Sequence, residues 1–338
     1  MMQVGSRTVS EMPLYPLCFE PIYQYRLWGG RRLASLLSTP LPGDGPVGEA
    51  WVLSDRADHQ SLVANGPLKG QTLGRVMEQF REQLMGKPTS RFSRFPLLLK
   101  FLDARAMLSV QVHPSDTHPE LIPAGETGKT EAWVVIEAEK GSRIYAELQP
   151  GTTDSDLRQA LADNTIPDYL VSITPKPGDA VFIPAGTVHT LGGDVVVFEI
   201  QQNSDVTFRL YDWGHIDAKT GQSRPLQVEK ALASIDFAES AGGLVAPLVE
   251  TTTPVLRERL FDCDHFLLWR FHGQSPFTVG AAGVPRVLVC IKGSGWFESD
   301  GTAHSVDKGQ VWLMPAITGT CVFHPNSKVT LLEIALPE

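Results

Sequence analysis

Cysteine, positive charge and long apolar stretches are all in short supply in this chain, and each shortage excludes a class of protein. The four cysteines, Cys18, Cys263, Cys290 and Cys321, are scattered with no C-x-x-C pair. That pattern argues against a sulfur-ligated zinc knuckle and fits a reducing compartment. Lys and Arg total 29 against 38 Asp and Glu, a formal charge of −9. Nucleic acid is thereby disfavoured as a partner, because that affinity comes mostly from Lys and Arg neutralising phosphates. A single phosphate on a small substrate remains compatible with a locally basic pocket. No stretch approaches the length needed to span a bilayer, and the N-terminal "MMQVGSRTVSEMPLYPLCFEP" lacks the apolar segment of a signal peptide. The cytoplasm, with no membrane partner, is the expected setting; nothing in the sequence separates a monomer from a homodimer.

Helical periodicity is scarce as well. "TLGRVMEQFREQLMG" puts Leu73, Val76, Phe80 and Leu84 on one stripe and stops at Gly86, and "TDSDLRQALADN" and "PLQVEKALASIDF" read as two shorter amphipathic helices. What is present instead is a succession of short β runs between Gly, Pro and Asp turns: "EAWVLS", "FPLLLKFL", "MLSVQVH", "TEAWVVIE", "DAVFIPAG", "VVVFEIQQ", "VTFRLYDW", "RVLVCIKG", "GQVWLMPA" and "KVTLLEIAL". Many short strands at such spacing indicate an all-β sandwich or barrel. With 338 residues, 42% of them apolar and 20% charged, the chain can bury a large core and has room for two domains.

A weak internal repeat sharpens the division. Gly178-DAVFI-Pro184-Ala185 and Gly309-QVWLM-Pro315-Ala316 share a glycine, five mostly apolar residues and Pro-Ala, as expected if one β module occurs twice. Between the copies, "AESAGGLVAPLVETTTP" reads as a loose linker. The expected modules are 15–237 and 238–338.

Chemistry concentrates in the first module. In "LSVQVH", Ser109, Gln111 and His113 share one strand face while Leu108, Val110 and Val112 share the other, so the polar trio faces a cavity or solvent. Further on, Gly178-x5-Pro184-x-Gly186-x2-His189 resembles the second motif of the cupin superfamily, a jelly roll that holds a metal in its interior, with Gly193 where that motif often ends in Asn. The usual His-x-His of the first cupin motif is replaced by Gln111-x-His113. Glu120 lies in a Pro-bounded loop, whereas Glu131 opens the next β run. In the second copy Ile317 replaces Gly186 and Thr320 replaces His189, so that module is expected to keep the fold without a metal.

The combination L-S-x-Q-x-H-P, K-T-E, G-x5-P-x-G-x2-H and "NSDVTFRLYD" resembles the type I mannose-6-phosphate isomerases, particularly their short bacterial branch. The resemblance implies two cupin-like jelly rolls with a small helical element. It also implies one zinc ion per chain held by Gln111, His113, Glu131 and His189, and interconversion of mannose 6-phosphate and fructose 6-phosphate through an enediol. Lys100, Lys129, Ser109, Glu49 in "GEAW" and Glu199 in "FEIQQ" match further active-site positions of the family. The donor set suits zinc, which accepts imidazole nitrogen and carboxylate or amide oxygen and can polarise a sugar carbonyl.

Aldose–ketose isomerisation also needs a base and a phosphate anchor. In "DVTFRLYD", Asp205, Thr207, Arg209 and Tyr211 share a face, so Arg209 is expected to meet a developing charge or the phosphate with its bidentate fork. Lys129 and Ser109 are assigned to the phosphate, and Asp205 to proton transfer, with His113 or a zinc-bound water as alternative bases. A lysine near zinc and an arginine, such as Lys129, is expected to have a depressed pKa. Lys100 could instead snorkel from a strand end, Asp212 could serve only a turn before Trp213-Gly214, and Trp28-Gly29-Gly30 could be a glycine turn without function. Isomerisation of another sugar phosphate, a non-catalytic sugar-phosphate sensor and a mononuclear iron oxygenase remain open as alternatives.

Overall fold

Residues that read as near-continuous apolar runs form strands buried on both faces. The computed structural model describes residues 13–238 and 242–337. In the strand Leu97–Ala104, Leu97, Leu99 and Phe101 enter one core while Leu102 enters another, and all eight residues are buried. Val195–Gln202 does the same, with Val196, Phe198 and Ile200 on one side and Val195 and Val197 on the other. Alternation across a pleated strand is therefore hidden at the level of hydrophobicity, and Lys100 and Glu199 mark the face that turns inward.

These two strands are central in a seven-stranded sheet ordered Gly243–Val245, Ala180–Ile183, Glu131–Ala138, Val195–Gln202, Leu97–Ala104, Glu49–Leu53 and Ile22–Gln24. A five-stranded sheet, Leu170–Ile173, Ile144–Leu148, His189–Leu191, Val110–Val112 and Phe208–Tyr211, completes the first jelly roll. Helices Asp154–Asp163 and Val228–Ser234 cover its outer side, burying Leu157, Ala160, Ala231 and Leu232 against Val110, Val112, Phe208 and Leu210.

The second jelly roll has a seven-stranded sheet containing Leu17–Cys18, Val311–Met314, Arg286–Lys292 and Val329–Ala335, and a four-stranded sheet running Phe277–Gly280, Thr320–Pro325, Ser294–Ser299 and Thr302–Asp307. Phe277, Phe297, Phe323 and Leu331 fill the space between its sheets, and Ile317 and Thr320 are exposed. The two seven-stranded sheets share one core, in which Phe101 and Phe198 meet Phe266, Leu268, Val289 and Leu332, together with the helix Leu73–Met85. That helix buries the expected stripe of Leu73, Val76, Phe80 and Leu84, is capped by the Thr72 side chain and ends at Gly86. No helix among the described residues is long and apolar enough to cross a membrane.

All ten β runs read from the sequence are strands, and the all-β architecture with few helices holds. Strands such as Ile144–Leu148 and Thr302–Asp307 were not among them, because "IYAEL" is short and "TAHSVD" is largely polar. Two short strands lie across the expected boundary at 237. Leu17 pairs with Leu313 of the second sheet, and Leu244 pairs with Val181 of the first. We propose that 15–237 and 238–338 are modules tied together by these reciprocal edge strands.

Phe198 has no exposed surface, and its ring lies 5.3 Å from that of Phe101. Its truncation should act on both modules. Phe198→Ala is expected to destabilise the chain by about 3 to 5 kcal/mol in urea unfolding; a loss below about 1 kcal/mol would show that the shared core can collapse around the void.

Candidate active site

Two rows of side chains face each other inside the first jelly roll. On the seven-stranded sheet, Trp51, Lys100, Glu199 and Trp133 are in register across four adjacent strands. On the five-stranded sheet, Arg209, Gln111 and His189 are in register across three. Residues directly opposite in antiparallel strands project to the same face, so register alone gathers these groups. Between the rows lies a cavity of about 380 Å³. Gln111 and Lys129, which line this cavity, also touch the histidine cluster behind it; two larger clefts, about 760 and 810 Å³, lie elsewhere.

His113, Glu131 and His189 converge, with donor atoms all within 4.8 Å of one another and every one buried. His113 Nδ1 lies 2.7 Å from the Val206 carbonyl, and His189 Nδ1 lies 2.9 Å from the Thr187 carbonyl. A carbonyl only accepts, so each ring carries its proton on Nδ1 and turns the Nε2 lone pair inward. Those Nε2 atoms lie 3.5 and 3.3 Å from the two Glu131 carboxylate oxygens. The Gln111 amide nitrogen is 3.2 Å from His189 Nε2; a half-turn of the amide, whose oxygen and nitrogen match in size but not in hydrogen bonding, would bring the oxygen to the same point and the NH2 to Ser109.

Glycine makes the approach possible. Gly186, at φ +90°, donates its N–H to the His113 carbonyl at 2.8 Å, which draws the His189 loop onto the neighbouring strand end. The left-handed backbone there favours glycine.

The electrostatics suit a cation. Burial, reinforced by the Lys129 charge, lowers the His113 pKa to about 3, and burial also lowers that of His189. Both rings are neutral, as metal ligands must be. Burial alone would raise the Glu131 pKa, but the Lys129 ammonium beside it holds the carboxyl well below its usual range. Both its oxygens are buried without a hydrogen bond, although Lys129 Nζ is 2.8 Å from one in a direction unsuited to such a bond. An ionised, under-coordinated buried carboxylate beside two inward imidazole lone pairs fits a divalent metal.

Glu120 stays in its loop, exposed and 3.2 Å from His118. Lys100 does not snorkel. It is 3% exposed, lies 3.3 Å from Glu199 and 3.8 Å from Asp205, and sits over the Trp51 ring. Lys129 departs from expectation. Burial works to lower its pKa, but the Glu131 and Glu199 carboxylates outweigh it and raise the value. Lys129 also lies 3.2 Å from His113 Nε2, among the candidate ligands. Burial and the Glu131 charge push the Glu199 carboxyl upward.

Asp205, Thr207 and Arg209 all line the cavity as their alternation predicts, but Tyr211 does not; the register shifts between Arg209 and Tyr211, and Tyr211 packs with Trp213 instead. Arg209 Nε donates to Ser109 Oγ at 3.2 Å, and Ser109 donates on to Gln111 at 3.3 Å. Asp212 serves more than a turn, forming a two-pronged ion pair with Arg224.

Two cavity arginines escaped sequence reading. Arg26 grips Glu49 through both carboxylate oxygens at 2.9 and 3.0 Å, and its one clue was its place two residues before Trp28. Arg224 comes from the loop "GQSRPLQ", which has no periodicity to reveal where it folds. Burial and the neighbouring Arg224 charge lower the Arg209 pKa, and Arg26 adds to the effect. Three guanidinium groups therefore surround one end of the cavity. Trp28 lines it too, while Gly29 packs so closely on the Gly48 backbone that a Cβ would lie 2.4 Å from Gly48 N; the tryptophan serves the site and the glycine serves the turn.

A family model described as phosphomannose isomerase type I, catalytic domain, matches residues 17–163. The probable mannose-6-phosphate isomerase GmuF of Bacillus subtilis is 33% identical over 329 residues, covering 92% of this chain and 99% of that protein. The chain belongs to the type I phosphomannose isomerases. The mannose-6-phosphate isomerase ManA of the same organism is 34% identical across 90% of this chain and 94% of its own. The crystal structure of a Bacillus subtilis mannose 6-phosphate isomerase superposes with a TM-score of 0.87 at 27% identity, over 96% of this chain and all of that one. A Salmonella typhimurium phosphomannose isomerase, 16% identical with a TM-score of 0.74, shares the fold.

Glu49 gives a test of the buried charges. Burial would raise its carboxyl pKa, but Lys100 and Arg26 lower it from 4.5 to about 2. The folded state thus favours the ionised form, and the stability this contributes above pH 4.5 is lost as pH falls toward 2. Between those values, Glu49→Gln is expected to lose unfolding free energy less steeply than the wild-type chain in urea titrations of the metal-free protein. Parallel curves would contradict the coupling.

Proposed function

We propose that the chain interconverts mannose 6-phosphate and fructose 6-phosphate in the cytoplasm, with one zinc ion per chain. The observation that carries this reading is the pair of inward imidazoles around the buried Glu131 carboxylate, next to a cavity that Gln111 and Lys129 share with three arginines.

Gln111, His113, Glu131 and His189 would hold the metal. Lewis acidity toward a sugar carbonyl or hydroxyl is what bound zinc supplies in such a site. Arg209, with Nε and one terminal nitrogen committed to Ser109 and the Pro225 carbonyl, is fixed in orientation and stabilises negative charge that develops on the sugar oxygens. Arg26 and Arg224 extend that positive end toward the phosphate dianion, with Ser109 between Arg209 and Gln111. Lys129, already shared between Glu131 and His113, is better placed to hold a proton near the reacting oxygens than to reach the phosphate.

Proton transfer between adjacent carbons falls to Asp205. His113 is committed through both nitrogens, to the Val206 carbonyl and to the Glu131 cluster. Asp205 has a side chain 42% exposed, with Lys100 3.8 Å away to stabilise its charge. Lys100, Glu49 and Glu199 form the opposite wall, where two indole N–H groups hold the carboxylates in place, Trp51 to Glu49 at 2.7 Å and Trp133 to Glu199 at 3.0 Å. Both carboxylates are thereby presented as acceptors for sugar hydroxyls.

Coupled assays over a panel of aldose 6-phosphates test the substrate. Mannose 6-phosphate should turn over fastest, and equal or faster turnover of glucose 6-phosphate would overturn the assignment. Arg209→Lys keeps a charge but loses the fork, and should lower kcat roughly 100-fold or more. A variant with kcat near that of the wild type would remove Arg209 from the chemistry.

A further inference from the structure

Asp205 lies in an irregular segment three residues before its strand begins at Phe208; among the described residues its side chain has one ion-pair contact within 4 Å, Lys100 at 3.8 Å, with Arg26, Arg56 and Lys129 acting on it from farther away. Something else must hold it. Arg56 donates from both terminal nitrogens to Glu126, at 3.0 and 2.6 Å, and from one of them to the Asn203 carbonyl at 3.3 Å. Glu126 in turn accepts the Asp205 backbone N–H at 3.4 Å. One residue earlier, the Ser204 hydroxyl donates to the Thr127 carbonyl at 2.8 Å. One residue later, the Val206 carbonyl accepts the His113 Nδ1 proton at 2.7 Å.

We infer that the Arg56–Glu126 pair positions Asp205 for proton transfer and, through Val206, sets the ring orientation of His113. The pair clamps three segments that share no strand pairing with one another: the short strand Asp55–Arg56, the loop that ends in Lys129, and the irregular segment 203–206. Arg56 and Glu126 retain 14% and 21% side-chain exposure, which places the pair at the rim of the fold. Partly solvated ion pairs contribute little to global stability. A bidentate guanidinium–carboxylate fork is nonetheless geometrically strict, so the pair acts on local placement. The same loop is tied at its other end. Asp116 accepts from the Gly128 N–H at 2.6 Å and from the Gln202 side chain at 2.8 Å, and Gln202 accepts the Thr130 N–H at 2.8 Å. With the Asp116 end intact, loss of the Arg56 end frees the 203–206 segment without releasing Glu131.

This positioning role rests on the isomerase reading given above, and its test has an arm that does not. Glu126→Gln, Arg56→Ala and Arg56→Lys are compared with the wild-type holoenzyme by steady-state kinetics on mannose 6-phosphate and by hydrogen exchange across residues 203–207. Glu126→Gln and Arg56→Ala should lower kcat roughly tenfold while KM stays within about twofold, because a misplaced group affects the reacting geometry more than binding. Amide exchange at Asp205 should speed up in both, and Arg56→Lys should recover part of each effect. Wild-type exchange at Asp205 in folded Glu126→Gln, or a loss confined to KM, would overturn the inference. If the wild-type chain does not isomerise sugar phosphates, the proposed function falls, and the exchange arm still decides whether the clasp holds the segment.

Discussion

A carboxylate fully buried without a hydrogen bond is the constraint around which the first jelly roll is arranged. Leaving an ion such as Glu131 in the interior is costly unless opposite charge and directed donors compensate it. Here compensation comes from Lys129, two residues away in the chain, while the neutral imidazoles from the opposite sheet turn lone pairs toward the same point and add no positive charge. Each imidazole is in turn aimed by a backbone carbonyl, Val206 for His113 and Thr187 for His189. A cation held among these groups would complete the compensation.

The second consequence is a division of the cavity into unlike ends. Near Glu131 the groups are candidate metal ligands and one shared ammonium. Toward Arg209 they are guanidinium groups, two of them paired with Glu49 and Asp212, and the third held below its usual pKa by burial and then by the neighbouring Arg224 charge. A sugar phosphate is itself a molecule of unlike ends, a dianion joined to a polarisable carbonyl and its hydroxyls. Between the ends, Lys100, Glu199 and Asp205 provide charges close enough to influence one another, in an interior where such interactions are strong.

Strand faces made much of this legible in the sequence. Period-two alternation put Ser109, Gln111 and His113 together, and put Asp205 with Arg209; motif spacing brought in His189, and the position of Glu131 at the head of a strand separated it from Glu120. The same periodicity missed Tyr211, because a register shift reverses the alternation after Arg209. It was silent about Arg224, Arg56 and Glu126, which reach their places from loops and a two-residue strand where neither period applies. The carboxylates around Lys129 were also hidden from local pattern. The expected depression of its pKa rested on a zinc ion and an arginine, whereas the carboxylates of Glu131 and of Glu199, on the strand paired with the one Lys129 leads into, dominate among the protein's own groups once the sheet forms. The strand exchange at Leu17 and Leu244 is equally invisible to local pattern, since two- and three-residue pairings leave no periodicity.

Metal content measured together with mannose 6-phosphate isomerisation, before and after chelation, tests the central claim most directly. Close to one zinc per chain is expected in the purified protein, with activity lost on chelation and regained on adding zinc. Activity indifferent to chelation in a protein that carries no metal would contradict it.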